Sequence, residues 1–128
     1  MLLFLGTTAG AVGAAAVLAT IDPNEAGHYP TCPFLAGTGL YCPGCGSLRA
    51  IHALTGGDVA TAWDRNPLAV LLLPVVLVAW VGWALRLAGR DAWHPTRVPA
   101  PWVWTLLGVI LVYWVLRNVP GWTWLSPA

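Results

Sequence analysis

Three cysteines carry the most distinctive chemistry of this 128-residue sequence. Cys32, Cys42 and Cys45 form the pattern C-x9-C-x2-C, and Arg49 and His52 follow Cys45 by four and seven residues. Residues at this spacing lie on one face of a helix. If a helix starts at Cys45, a thiol, a guanidinium and an imidazole therefore line up on that face. We predict one cysteine-centred site in this stretch.

Metal binding is the first chemistry that this set of residues predicts. Two cysteines separated by two residues form a common zinc-binding turn, and Pro43 and Gly44 between them suit a tight turn. Cys32 supplies a third thiolate, and His52 or His28 would complete a Cys3His set. Against this, the sequence has one C-x2-C pair where structural zinc sites usually have two. The candidate cofactor is zinc, and the candidate ligands are Cys32, Cys42, Cys45 and His52.

Thiol redox chemistry is the second hypothesis. A cysteine at the start of a helix has its thiolate favoured by unpaired backbone N–H groups, and Arg49 would add a positive charge one turn later. Cys32 would then act as a resolving thiol and His52 as a proton carrier. The candidate catalytic residues are Cys42, Cys45 and Arg49.

Two structural alternatives remain open. In an oxidising compartment Cys32 could form a disulfide with either of the other cysteines, which would stabilise the fold by about 3 kcal/mol in the chain-entropy model. The other alternative is that the three residues are reduced thiols packed into a turn. His52 on a partly apolar face is in that case a hydrogen-bonded packing residue and no ligand.

The composition predicts an all-α membrane protein. Hydrophobic residues make up 58% of the chain and charged residues 9%, against about half and about a quarter in soluble proteins. Residues 1–21, 67–87 and 101–119 are apolar stretches near the roughly 20 residues that cross a bilayer, and in lipid such stretches must be helical. A net charge of +1 without a basic stripe argues against nucleic-acid binding. We expect one membrane domain, residues 1–128, with three transmembrane helices.

A cysteine segment, residues 28–66, separates the first two spans. We expect irregular chain through Tyr41, then a short helix from Gly44 or Cys45 to Leu54 that ends at two glycines. A second short helix, capped by Asp58, should run to Asp64. The apolar stripe on the first of these helices places the hairpin at the membrane surface or re-entrant between the spans. Asn66 and Pro67 then begin the second span.

The arginines predict the orientation. The short loop after the second span carries Arg86, Arg90 and Arg97, whereas the long loop carries Arg49 and Arg65. The positive-inside rule therefore places the short loop in the cytoplasm and the cysteine segment outside it. Two polar residues at the outer end of the third span, numbers 117 and 118, could face the cysteine segment, but we expect them among the lipid headgroups.

The first span has the spacing of a helix-packing surface. Gly6 and Gly10 are four residues apart, as are Ala9 and Gly13. Small residues at this spacing let helix backbones approach closely in membranes. We therefore expect the first helix to contact another membrane protein or a second copy of the chain.

Residues 32–67 also resemble a known family. The run CPFLAGTGLYCPGCGSLRA, followed by HALTGGD and by A-x3-N-P, is similar to a bacterial membrane family catalogued as domain of unknown function 2752. The resemblance implies a small multipass membrane protein whose signature is the cysteine segment, and it implies no particular activity. The signature residues are Cys32, Thr38, Gly39, Cys42, Pro43, Gly44, Cys45, Gly46, Arg49, Gly57, Asp58, Asn66 and Pro67.

These observations predict a small multipass protein of the bacterial inner (plasma) membrane. The leading hypothesis is a scaffold or accessory subunit in which the cysteine-rich element has a structural role at the membrane surface. The alternative is a membrane thiol-redox or zinc-binding protein that uses Cys32, Cys42, Cys45 and His52. The expected partners are the lipid bilayer and, through the first helix, another membrane protein or a second copy of the chain.

Overall fold

The computed structural model describes residues 1–25, 27, 29–92, 98–122 and 125. Within these residues the chain forms six α-helices and no β-strand. Helices α1 (Leu2–Thr20), α5 (Pro67–Leu87) and α6 (Ala100–Arg117) are long and apolar enough to cross a membrane. The predicted all-α fold with three candidate membrane spans is confirmed.

Three short helices lie between α1 and α5: α2 (Pro33–Thr38), α3 (Ser47–Thr55) and α4 (Val59–Arg65). The expectation of irregular chain through Tyr41 is wrong at α2. Pro33 stands in the first turn of this helix, where its fixed φ is favourable. Gly39 ends it in the left-handed conformation, with φ +73° and its N–H bonded to the Leu35 carbonyl. The proline and glycine mark the two ends of a helix here.

Helices α3 and α4 form the predicted hairpin, with one correction at its start. Gly46 has φ +82°, a left-handed conformation that favours glycine, and α3 begins only at Ser47. Cys45 therefore lies outside the helix, in the preceding turn. The carboxylate of Asp58 accepts the Thr61 N–H at 2.9 Å and caps α4 as predicted. The amide of Asn66 caps α5 in the same way by accepting the Ala69 N–H.

One end of every long helix meets the cysteine segment. His52 in α3 bonds to the carbonyl of Leu18 at the end of α1. Asn66 at the start of α5 and Arg117 at the end of α6 both donate to the carbonyl of Cys45. At the opposite end of the bundle, the ring of Phe4 in α1 packs on Trp80 and Trp83 of α5, at centroid distances of 5.9 and 5.1 Å. The three spans thus alternate in direction, and the cysteine segment lies on one face of the bundle.

The most buried described residues lie at that face. Ala50 of α3 and Ala62 of α4 are fully buried where the hairpin closes, and Asn66 and Arg117 are only 1% and 2% exposed. The middle parts of the long helices instead expose most of their apolar side chains. Their outer surface therefore suits lipid, while the packed core of this chain lies where the cysteine segment joins the helix ends.

Candidate thiol site at the ends of the membrane helices

The structure brings all three cysteine sulfurs together. The Sγ atom of Cys42 lies 3.0 Å from that of Cys45 and 3.6 Å from that of Cys32. All three sulfurs lie within 4.8 Å of one another, and all three residues are free thiols. Sulfurs bound at about 2.3 Å to one tetrahedral zinc ion are about 3.8 Å apart. This thiol cluster of Cys32, Cys42 and Cys45 is therefore compact enough to share one metal ion.

Two local structures place the cysteines. Residues 42–45 form a tight turn, the CPGC turn, in which the Cys45 N–H donates to the Cys42 carbonyl at 3.1 Å. The Cys42 N–H in turn donates to the Cys45 sulfur at 3.2 Å. Cys32 comes from a different element, because it is the N-cap residue of α2. Helix α2 thus carries the third thiol to the CPGC turn.

The three thiols are electrostatically unequal. The backbone amide of Leu35 and the neighbouring Cys42 thiol lower the pKa of Cys32 to about 7. Burial is the main cause that raises the pKa of Cys45 to about 12. The residue prone to ionise near neutral pH is therefore Cys32, and not the Cys45 that the redox hypothesis placed at a helix start.

Arg49 and His52 contact the end of α1 and the chain that follows it. The Nε–H of Arg49 donates to the Pro23 carbonyl at 3.4 Å. The Nδ1 atom of His52 bonds to the Leu18 carbonyl, and its Nε2 atom is 3.7 Å from the Asp22 carboxylate. Because Cys45 precedes the helix, it shares no helix face with these two residues. Among the described residues the compact group of metal-ligand side chains contains only the three cysteines, and His28 lies outside the described residues.

Arg117 is a residue of the site that the sequence interpretation misplaced. We expected its guanidinium among the lipid headgroups, but it is buried inside the protein. Nη2 donates to the Cys45 carbonyl at 2.7 Å and lies 3.4 Å from the carbonyl of Arg65. Nη1 lies 3.3 and 3.5 Å from the carbonyls of Pro43 and Cys42. One side chain at the end of α6 therefore binds the backbone of the CPGC turn.

Two asparagines complete the attachment of the cysteine segment. Besides capping α5, Asn66 donates from Nδ2 to the Pro43 carbonyl and to the Ser47 hydroxyl, both at 3.0 Å. Asn118, which we also expected among headgroups, bonds both backbone polar groups of Tyr41, at 2.8 and 2.9 Å. The side chains that close the site thus come from the ends of α5 and α6.

One known protein family matches the part of the chain that contains the thiol cluster. Residues 32–80 match the family described as protein of unknown function (DUF2752). The chain resembles that family. The DUF2752 match covers less than half of the chain, starts at the first cysteine of the thiol cluster and continues into α5. It therefore includes the CPGC turn, the α3–α4 hairpin and Asn66, whereas Arg117 lies beyond it. No curated protein and no solved structure matches the chain.

Several residues of the predicted signature are the turn and cap residues of this DUF2752-like segment. Thr38 and Gly39 end α2, Gly46 precedes α3, and Gly57 with φ +79° separates α3 from α4. Pro43 and Gly44 form the middle of the CPGC turn, and Pro67 begins α5 next to its cap. These residue types are those that the backbone of a tightly folded segment requires.

Proposed function

We propose that this protein is a small scaffold or accessory subunit of a bacterial plasma membrane. In this proposal the cysteine segment is a rigid element at the membrane surface. The observation that carries the proposal is the buried Arg117 side chain, which donates to the Cys45 carbonyl from the end of α6. A segment bound in this way is held in a fixed position relative to the ends of the membrane helices.

The proposed orientation places the cysteine segment outside the cytoplasm. It rests on the three arginines in the last turn of α5 and in the loop before α6, which are Arg86, Arg90 and Arg97, against the two of the cysteine segment, Arg49 and Arg65. In this proposal α5 crosses the membrane, so the cysteine segment and the α5–α6 loop lie on opposite sides of it. The bacterial origin is inferred from the resemblance.

The proposed contact with a partner is the small-residue surface of α1. Gly6, Gly10 and Gly13 are exposed, and a Cβ atom added to any of them would have no neighbour within 4 Å. Another helix can therefore approach the α1 backbone closely at these positions. The partner in this proposal is a second copy of the chain or another membrane protein.

Gly10→Leu tests this contact. We expect the substitution to weaken self-association in liposomes by about tenfold or more, because the leucine side chain keeps the two backbones apart. Energy transfer between donor-labelled and acceptor-labelled chains measures the association. Gly108→Leu in α6 is the matched control, since Gly108 also has no atom within 4 Å of an added Cβ. Equal weakening by the two substitutions would contradict an interface on α1.

A second candidate function is zinc binding by the thiol cluster. The mutual distances of the sulfurs support it, because one ion can reach all three. The proposed ligands are Cys32, Cys42 and Cys45. His52 is not included, because it bonds to α1. Thiol redox exchange would use the same cysteines, with Cys32 as the attacking thiolate.

A further inference from the structure

The buried charge of Arg117 is the starting point. This side chain is 2% exposed, and its described partners are backbone carbonyl oxygens and the uncharged side chain of Tyr113, whose ring centroid lies 5.4 Å from the guanidinium carbon. Its Nε–H has no hydrogen-bond partner among the described residues. Carbonyl dipoles and an aromatic ring stabilise a cation but do not neutralise it. A charge removed from water is costly unless an opposite charge lies close by.

The thiol cluster can supply that opposite charge. When three thiols bind one divalent ion, three thiol protons are released in total and three metal–sulfur bonds form. The resulting centre has a net charge of −1. Two of its ligands, Cys42 and Cys45, belong to the CPGC turn whose carbonyls Arg117 contacts. The guanidinium and the metal centre together are then neutral.

We propose that Cys32, Cys42 and Cys45 bind one divalent, thiophilic cation of the zinc class, and that Arg117 supplies the counter-charge of this three-thiolate centre. The proposal rests on the second candidate function above and adds to it the charge of the ion and the role of Arg117. Arg117 is a positioning residue in this proposal, since it binds the ligand-bearing backbone and not the ion. A monovalent ion would leave the centre at −2, which one arginine does not balance.

The test titrates the full-length protein in detergent micelles with Co²⁺ as the probe. Cobalt bound by thiolates gives a charge-transfer absorption in the near ultraviolet, and zinc should displace it. We expect one Co²⁺ per chain for the wild type and no such absorption for Cys32→Ser combined with Cys42→Ser. Absence of stoichiometric binding by the reduced wild type would overturn the metal site itself, and with it the role of Arg117.

Two substitutions then separate the effect of the Arg117 charge from the effect of its hydrogen bonds. Arg117→Gln and Arg117→Lys both remove the forked contacts with the carbonyls, but only the first removes the positive charge. We expect Arg117→Gln to weaken Co²⁺ binding by about tenfold or more, the scale of one nearby unit charge in a partly buried site, and Arg117→Lys to stay within about threefold of the wild type. Equal weakening by both, with wild-type binding intact, would overturn the counter-charge while leaving the metal site.

Asn118→Ala tests whether a weaker attachment of the cysteine segment is enough to lower the Co²⁺ affinity. It removes two hydrogen bonds to the Tyr41 backbone, next to the CPGC turn, without changing any charge. We expect its Co²⁺ affinity to remain within about threefold of the wild type. An affinity loss as large as that of Arg117→Gln would mean that attachment of the segment, and not charge, determines binding. Circular dichroism of each variant confirms that the helices are intact before affinities are compared.

Discussion

Replacing Arg117 by leucine is expected to release the cysteine segment from the membrane helices. The substitution removes the 2.7 Å bond to the Cys45 carbonyl and the contact with the Arg65 carbonyl. A buried acceptor left without a donor costs about 1–3 kcal/mol. Asn66 still donates to the Cys45 carbonyl, so the acceptor that loses its side-chain donor is the Arg65 carbonyl. Removal of the buried charge offsets part of this cost. We therefore expect a net loss of about 2 kcal/mol in the attachment of the segment.

Hydrogen exchange measures this loss directly. Exchange of the backbone amides of residues 41–55 should become about 30-fold faster in Arg117→Leu, because local opening free energy sets the exchange rate. The long helices should keep their protection. Arg86→Leu is the matched control, since it removes an arginine from the last turn of α5, at the far end of that span. Unchanged exchange of residues 41–55 in Arg117→Leu would contradict the anchoring role.

Asn66→Ala is expected to have the largest effect on the stability of the whole chain. Asn66 is 1% exposed and uses both ends of its amide. The oxygen caps α5 and accepts a hydrogen bond from the Tyr113 hydroxyl at 3.1 Å. The nitrogen donates to the Pro43 carbonyl and to the Ser47 hydroxyl. Loss of the cap lowers the free energy of unfolding by about 1 kcal/mol. The buried polar groups left without a hydrogen-bond partner raise the total loss to about 3 kcal/mol.

A serine at position 66 separates the two roles of this amide. Serine is a good helix N-cap but cannot also reach across to the Pro43 carbonyl as a second donor. Asn66→Ser should therefore recover only about 1 kcal/mol of the free energy of unfolding lost in Asn66→Ala. Thermal or denaturant unfolding in micelles, followed by far-ultraviolet circular dichroism, provides the measurement. Full recovery by serine would show that capping is the sole role of Asn66.

The spans and the hairpin were predictable because their signals are local. Apolar length gives the three long helices, and the capping residues Asp58 and Asn66 mark helix starts by their residue type. Helix α2 was not predicted because proline and glycine are also common in irregular chain, and residue type alone does not show that Pro33 begins a helix and Gly39 ends it. The start of α3 was placed too early because the pattern alone does not show that Gly46 is left-handed.

The closure of the site was harder to predict for a physical reason. Arg117 contacts carbonyls that lie more than 70 residues earlier in the chain, so no spacing rule connects them. An arginine at the end of a membrane helix ordinarily extends toward the headgroups. The same limit applied to His52, whose helical spacing from Cys45 suggested a shared face. Its actual partner is Leu18 of α1.

Zinc binding and thiol redox exchange by the thiol cluster both require that Cys32 lies next to Cys42 and Cys45. Arsenous acid tests this convergence directly, because it condenses with three thiols to form three As–S bonds and release three waters. The reduced full-length protein in micelles is treated with arsenite and then alkylated, and intact mass and peptide mapping report the products. We predict one arsenic per chain with all three cysteines protected. Alkylation of Cys32 at the same rate with and without arsenite would contradict the three-thiol site.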